Sequence, residues 1–144
     1  VAISKERGIN KMKQIIFQKF IYREDLINNR HIMYVFGDND MRAGQGGQAK
    51  EMRGESNSFG IRVKKAPKNK PSVYYTDKEY NQNIEKIDED FNALEEYLEA
   101  GWLIVIPLDG IGTGLARLKE LAPKTLQYIR DRINQLTVKY RINK

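Results

Sequence analysis

The stretch "VFGDNDMRAGQGGQAKEMRG", residues 35–54, opens like a buried strand and closes like a helix. Between the two lie Asp38, Asn39 and Asp40, then three glycines in close succession, Gly44, Gly46 and Gly47, with Gln48 directly after them. Glycine adopts positive φ at little cost and lets a ligand approach the main chain without meeting a Cβ. A helix that starts directly after such a loop turns unpaired N–H groups and the positive end of its dipole toward the same space. Together these features suit the binding of a phosphate. The competing reading is that the glycines only make tight turns.

Working outward, "HIMYVFG", residues 31–37, is almost wholly apolar and reads as a central strand buried on both faces. "WLIVIPL", residues 102–108, reads the same way, and its sequel "DGIGTGL" repeats the strand–loop–helix pattern. Here Gly110, Gly112 and Gly114 stand around Ile111 and Thr113, after Asp109 and before Leu115. "QIIFQKFIYRED", residues 14–25, is expected to be a first strand, and "GIRVKK" and "SVYYT" two more, parted by the prolines of "APKNKP". Residues 79–99 carry Ile84, Ile87, Phe91, Leu94, Tyr97 and Leu98 at helical spacing. A last helix is expected over 118–136, with Pro123 in its first turn or at its start, and the tail "KYRINK" reads as an extra short strand. Strands alternating with helices predict an α/β fold with a mixed, mostly parallel sheet, in one domain over 1–144 with its core at 14–136. Ligands of such sheets sit beyond the carboxyl ends of the strands, where both glycine loops fall.

The chain has 144 residues, 40% hydrophobic and 31% charged, with a net charge of +6. With no cysteine, disulfides and thiolate chemistry are excluded, and a single histidine, His31, argues against a histidine-rich metal site. No metal and no cofactor is expected. No stretch approaches a membrane span, and residues 1–14 lack the apolar segment of a signal peptide, so a cytoplasmic location without membrane contact is expected. The positive charge favours phosphates, nucleotides or nucleic acid as partners. The glycine loops match neither the P-loop nor the dinucleotide fingerprint, because no Gly-Lys-Ser/Thr and no G-x-G-x-x-G spacing is present.

The order of these motifs resembles a macro domain, the ADP-ribose-binding module, over about residues 14–136. The segment "FIYREDL" is similar to that family's first-strand ending, which places Asp25 at the adenine amino group. "VFGDNDMRAGQGGQA" resembles the segment carrying an asparagine near the distal ribose and a diphosphate loop, matched by Asn39, Gly44, Gly46 and Gly47. "VIPLDGIGTGLARLK" resembles the second phosphate loop of the terminal ADP-ribose glycohydrolase branch. The resemblance implies a three-layer α/β/α sandwich, ADP-ribose or a related nucleotide as ligand, and an ADP-ribosylated macromolecule as a further partner. In that branch an aspartate after Gly-Leu and a lysine from the preceding loop perform hydrolysis. Here Ala116 holds the aspartate's position, and Lys78 is the candidate for the lysine. An alanine can neither attack an anomeric carbon nor resolve a lysine adduct.

Three functions follow. The first is binding of ADP-ribose or a related adenine-nucleotide diphosphate without turnover, through Asp25, Asn39, Gly44, Gly46, Gly47, Gln48 and the run Asp109 to Leu115. The second is an ADP-ribosyl hydrolase, with Asn39 and Asp38 (or Asp40 or Asp109) activating water and Lys78 assisting. The third is nucleic-acid binding through the basic run Arg62, Lys64, Lys65, Lys68 and Lys70. Each has a structural counterpart: Asp25 as a cap, Asn39 as a turn residue, Tyr74 and Tyr75 as core, and the basic run as a solvated sheet edge.

Overall fold

The computed structural model describes residues 12–142; residues 1–11 and 143–144, which include part of the N-terminal stretch and the end of the "KYRINK" tail, lie outside the described residues. The order of elements is β1 (Met12–Lys13), β2 (Ile15–Gln18), α1 (Arg23–Asn28), β3 (Ile32–Asn39), α2 (Ala49–Met52), β4 (Ser58–Lys64), α3 (Tyr80–Glu99), β5 (Leu103–Pro107), α4 (Leu118–Leu121), α5 (Pro123–Lys139) and β6 (Arg141–Ile142). Strands β2, β5, β3 and β4, in that spatial order, form one four-stranded sheet in which every pairing is parallel. The expected antiparallel component is absent from it. A separate antiparallel pair, β1 with β6, joins the two ends of the described chain.

The period-2 alternation of the strands sorts their side chains into two cores. Met33 and Val35 of β3, Ile61 and Val63 of β4, and Ile104 and Ile106 of β5 point to one face. There they meet Ile87, Phe91 and Leu94 of α3 and Leu126, Ile129 and Ile133 of α5. Tyr34, Phe36 and Val105 point to the other face, against Leu26 of α1 and Ala49 and Met52 of α2. Helices thus cover both faces, which is why the central strands are apolar without interruption.

Three expectations change. The first strand stops at Gln18, and the chain turns into α1, where Asp25 occupies the third helical position. Its carboxylate accepts the Tyr22 N–H at 2.9 Å and the Gln18 side-chain amide at 3.1 Å, so it closes a helix start rather than a strand end. "SVYYT" is not a strand. Pro71 fixes its own φ and lacks an N–H, and Pro71–Val73 form a single 3₁₀ turn. Only Tyr74 makes an isolated antiparallel bridge, to Lys64. Tyr75 is buried and donates its hydroxyl to Asp40 at 2.6 Å.

The last helix is divided at Ala122 into the single turn α4 and the long α5, which begins at Pro123. Proline suits that position because the first N–H of a helix has no intrahelical acceptor. The next donors are capped from outside the helix. Asp77 accepts the Lys124 N–H at 2.8 Å, the Thr125 N–H at 3.1 Å and the buried Thr125 hydroxyl at 3.0 Å. Asp77→Ala is therefore expected to cost about 1–2 kcal/mol, as the loss of an N-terminal cap does. Urea unfolding should show a lower midpoint with an unchanged slope.

Candidate functional site

Strands β3 and β5 are hydrogen-bonded neighbours running in the same direction, with Tyr34 opposite Val105. Their glycine loops therefore leave the same edge of the sheet and line one cleft of about 310 Å³. This edge is where open parallel sheets bind ligands, because no helix covers the ends of the strands there.

The second loop reaches its place because β3 is notched. A Cβ on Gly37 would lie 3.2 Å from Val63 Cγ2 and 3.4 Å from the Gly112 nitrogen, so the glycine admits the loop's main chain beside the strand. Gly37 was not among the expected site residues, although an isolated glycine inside a strand is a signal of close backbone approach. Gly112 sits at φ +85°, and a Cβ there would fall 2.4 Å from Leu118 Cδ1. In the first loop Gly44 has φ +99°, with Pro67 2.6 Å from where its Cβ would be. Gly46 and Gly114 are different: neither has positive φ, and a Cβ on Gly114 would meet nothing within 4 Å. The rims of the cleft also touch, since Leu115 Cδ1 would be 2.9 Å from a Cβ on Gly46.

Hydrogen bonding decides which way these loops face. The Gly112 carbonyl accepts the Leu118 N–H at 3.0 Å and the Gly114 carbonyl accepts the Arg117 N–H at 3.0 Å. In a trans peptide the following N–H points opposite to the carbonyl, so those of Thr113 and Leu115 are turned away from α4. Among the described residues, the N–H groups of Gly112, Thr113, Gly114, Leu115 and Ala116 donate to no acceptor in the protein. The same holds for Gly44 through Gln48. Gly112 and Ala116 are buried, while Thr113, Gly114, Leu115 and Gln45 to Gly47 are exposed, so most of these donors stand open to solvent or a ligand around one cleft. The helices that follow contribute little dipole, contrary to expectation, because α2 and α4 are each only four residues long.

The first loop is held from behind by charge. Asp38 is buried and pairs with Arg53 at 2.5 Å and Arg42 at 3.4 Å, and it accepts the Asn39 N–H at 2.8 Å. Arg53 also donates to the carbonyls of Gly44 at 2.6 Å and Ala43 at 3.1 Å, turning the peptides of the loop. Arg42, itself at φ +54°, continues the network to Asp90, which Arg62 also holds.

The expected site residues divide clearly. Gly44, Gly46, Gly47, Gln48, Asp109, Gly110, Gly112, Thr113, Gly114 and Leu115 line the cleft, with Asp38 and Asn39 at its base. Asn39 is folded into its own loop: its amide donates to the Ala43 carbonyl at 2.7 Å and its oxygen accepts the Met41 N–H at 3.0 Å. Gln48 is tied to the Ile21 carbonyl at 3.0 Å, and the Thr113 hydroxyl to the Asp109 carbonyl at 2.9 Å. Ile111 turns its side chain into the core, so any contribution it makes is through its main chain. Asp25 and Lys78 do not line the cleft, and Ala116 does. Among the described residues no cluster of three or more His, Cys, Asp or Glu side chains is arranged to hold a metal ion. No described helix is long and apolar enough to cross a membrane.

The basic run does not form one surface. Arg62 pairs with Glu89 and Asp90, Lys65 pairs with Glu79, and Lys64 turns inward to line the cleft with Asn69 and Pro67. Lys64 is 7% exposed, and its burial lowers its pKa below the ordinary 10.5. Its only sequence signal was membership of a charge run, which points to solvent rather than to a site.

A lysine whose pKa falls on folding destabilises the native state while both states are charged, and the penalty fades as pH rises through the window below 10.5. Lys64→Met is accordingly expected to melt higher than the wild type at pH 7. The difference should shrink as the pH approaches and passes 10.5, measured by paired thermal scans.

Comparison with known proteins adds one finding. Residues 16–132 match the profile of a family described as a family of unknown function, DUF7831. No curated protein and no solved structure gives a match. The match covers the whole sheet and its covering helices apart from the two ends, and the chain therefore belongs to DUF7831.

Proposed function

We propose that the cleft binds ADP-ribose or a related adenine-nucleotide diphosphate through the main-chain amides of its two glycine loops, and holds it without turnover. The observation that carries this reading is the run of unpartnered N–H groups from Gly112 to Ala116, facing a second such loop across one cleft. Main-chain donors of this kind suit a diphosphate, whose oxygens accept several bonds at once. The volume of about 310 Å³ is at the small end for a nucleotide site, so the diphosphate and an adjoining ribose would be enclosed while the remainder extends over the rim.

Retention rather than hydrolysis is supported by the state of every candidate catalytic group but Asp109. Ala116 brings no carboxylate, and Asp38 is committed to two arginines. Asp40 accepts from Tyr75 and Lys86, and Asn39 has both ends of its amide engaged. Lys78 is exposed and lies off the cleft lining. Asp109, exposed at the rim, is the remaining carboxylate of the cleft. The ADP-ribose assignment itself leans on the macro-domain resemblance, and with Asp25 used as a helix cap it gives no ready partner for adenine.

The two glycines of the second loop provide the test. Gly114→Glu places a carboxylate at the cleft without backbone strain, since that glycine has ordinary φ and open space around it. It should keep the wild-type melting temperature and weaken ADP-ribose binding on the order of 100-fold, through like-charge contact with the phosphates. Gly112→Glu should instead lose about 2–4 kcal/mol of stability, because it combines positive φ with a collision at Leu118. Thermal unfolding checks the two stabilities, and titration calorimetry with ADP-ribose, ATP and an oligonucleotide checks the affinities. Unchanged ADP-ribose affinity in Gly114→Glu, or salt-sensitive binding of the oligonucleotide alone, would overturn the assignment.

A further inference from the structure

Four cations on or near the cleft have a carboxylate of their own. Arg53 has Asp38 at 2.5 Å, Arg42 has Asp90 at 2.7 Å, Lys65 has Glu79 at 2.9 Å and Lys86 has Asp40 at 2.7 Å. Lys64 has none among the described residues, although it is one of the more buried of them. Its ammonium donates to a neutral acceptor, Asn69 Oδ1, at 3.0 Å. It also lies 5.2 Å from the centre of the Tyr74 ring, which Arg117 approaches at 5.7 Å. Two cations therefore share that ring, and among the described residues no carboxylate pairs with either of them.

We propose that Lys64 is the counter-ion of the ligand's phosphate, so that the cleft takes phosphate-bearing ligands in preference to the parent nucleoside. This rests on the phosphate-binding reading of the glycine loops. Topology places Lys64 where the role requires. It is the last residue of β4, which pairs with β3, so its side chain rises beside the loop that follows β3. Gly44 and Pro67 of that corner line the cleft with it.

The energetics favour the same assignment. A buried ammonium with one neutral partner is penalised by desolvation, and a phosphate arriving between the loops relieves that penalty with a charge-assisted hydrogen bond. The other ionisable groups near this corner do not compete. Asp38 and Asp40 are held by Arg53, Arg42, Lys86 and Tyr75, and Glu79 by Lys65. Asp109 belongs to the opposite loop, where it is exposed, and Lys19 lines the cleft from the β2 side as a further cation. A phosphate that pairs with Lys64 also stabilises its protonated form, so ligand binding takes up a fraction of a proton at alkaline pH.

The test uses the full chain with lysine labelled at Nζ with nitrogen-15 and the backbone amides labelled in parallel. Its burial slows exchange of the Lys64 ammonium, and Lys64→Arg identifies the resonance by its loss. Inorganic pyrophosphate, ADP-ribose and adenosine are titrated separately, which distinguishes the anion alone from the nucleotide that carries it. The expected result is that both phosphate ligands shift the Gly112–Ala116 amides and the Lys64 resonance together, and raise the titration midpoint of Lys64. Lys64→Met should lose at least about tenfold in affinity for both while keeping the free-state loop amide shifts, and Lys64→Arg should lose less. If the loop amides respond but Lys64 does not, or if Lys64→Met binds as tightly as the wild type, the counter-ion role is wrong and the loop reading survives. If neither group responds to pyrophosphate or ADP-ribose, both fall. Adenosine binding as tightly as ADP-ribose would also overturn the role given to Lys64.

Discussion

The buried carboxylate of Asp38 is the constraint on which the cleft depends. It stands near the end of β3, where a buried charge is costly without partners, and Arg53 and Arg42 come to it. Arg53 comes from just beyond α2, and on its way it takes the carbonyls of Ala43 and Gly44. One ion pair thus fixes the position of α2 relative to the sheet and the direction in which the first loop turns its peptides. Arg42 carries the same charge network onward to Asp90 on α3, and Arg62 of β4 closes it. Both layers of helix are tied to the strand that supports the site.

The second loop is controlled by space instead of charge. Gly37 removes the side chain that would keep the loop off β3, and Gly112 removes the one that would strike Leu118. A positive φ at Gly112 and a closed hydrogen bond to Leu118 then leave a series of amides with no work inside the protein. The exposed donors of Thr113, Gly114 and Leu115 are open to solvent, and only the buried Gly112 and Ala116 carry the cost of an unpaired donor. The two loops solve the same problem by different means, one by an arginine strut and the other by glycine clearances.

Much of this was legible in the chain. The apolar runs at 31–37 and 102–108 are strands, the stripe from Ile84 to Leu98 is on a helix, and both glycine loops lie beyond strand ends. These features depend on local patterns, periods of 2 and 3.6 and the freedom of glycine, which are written in short stretches of sequence. The misreadings share one cause. "SVYYT" has strand composition, yet Pro71 and the burial of Tyr75 against Asp40 give it another role. Asp25 looked like a strand-end acid because nothing in its neighbours marked the start of α1. Lys64 looked solvated because a run of charges reads as a solvated sheet edge, a reading that holds for Lys68 and Lys70.

The sequence alone determined that this is an α/β chain with two flexible loops at strand ends and no thiol chemistry, because composition and periodicity act through bonds between near neighbours. Only the tertiary structure decided that β3 and β5 are adjacent, that both loops open into one cleft, and which cations are neutralised. Strand order and charge pairing join residues such as Arg42 and Asp90, 48 positions apart, and no local pattern in the chain records which of several carboxylates such an arginine will meet.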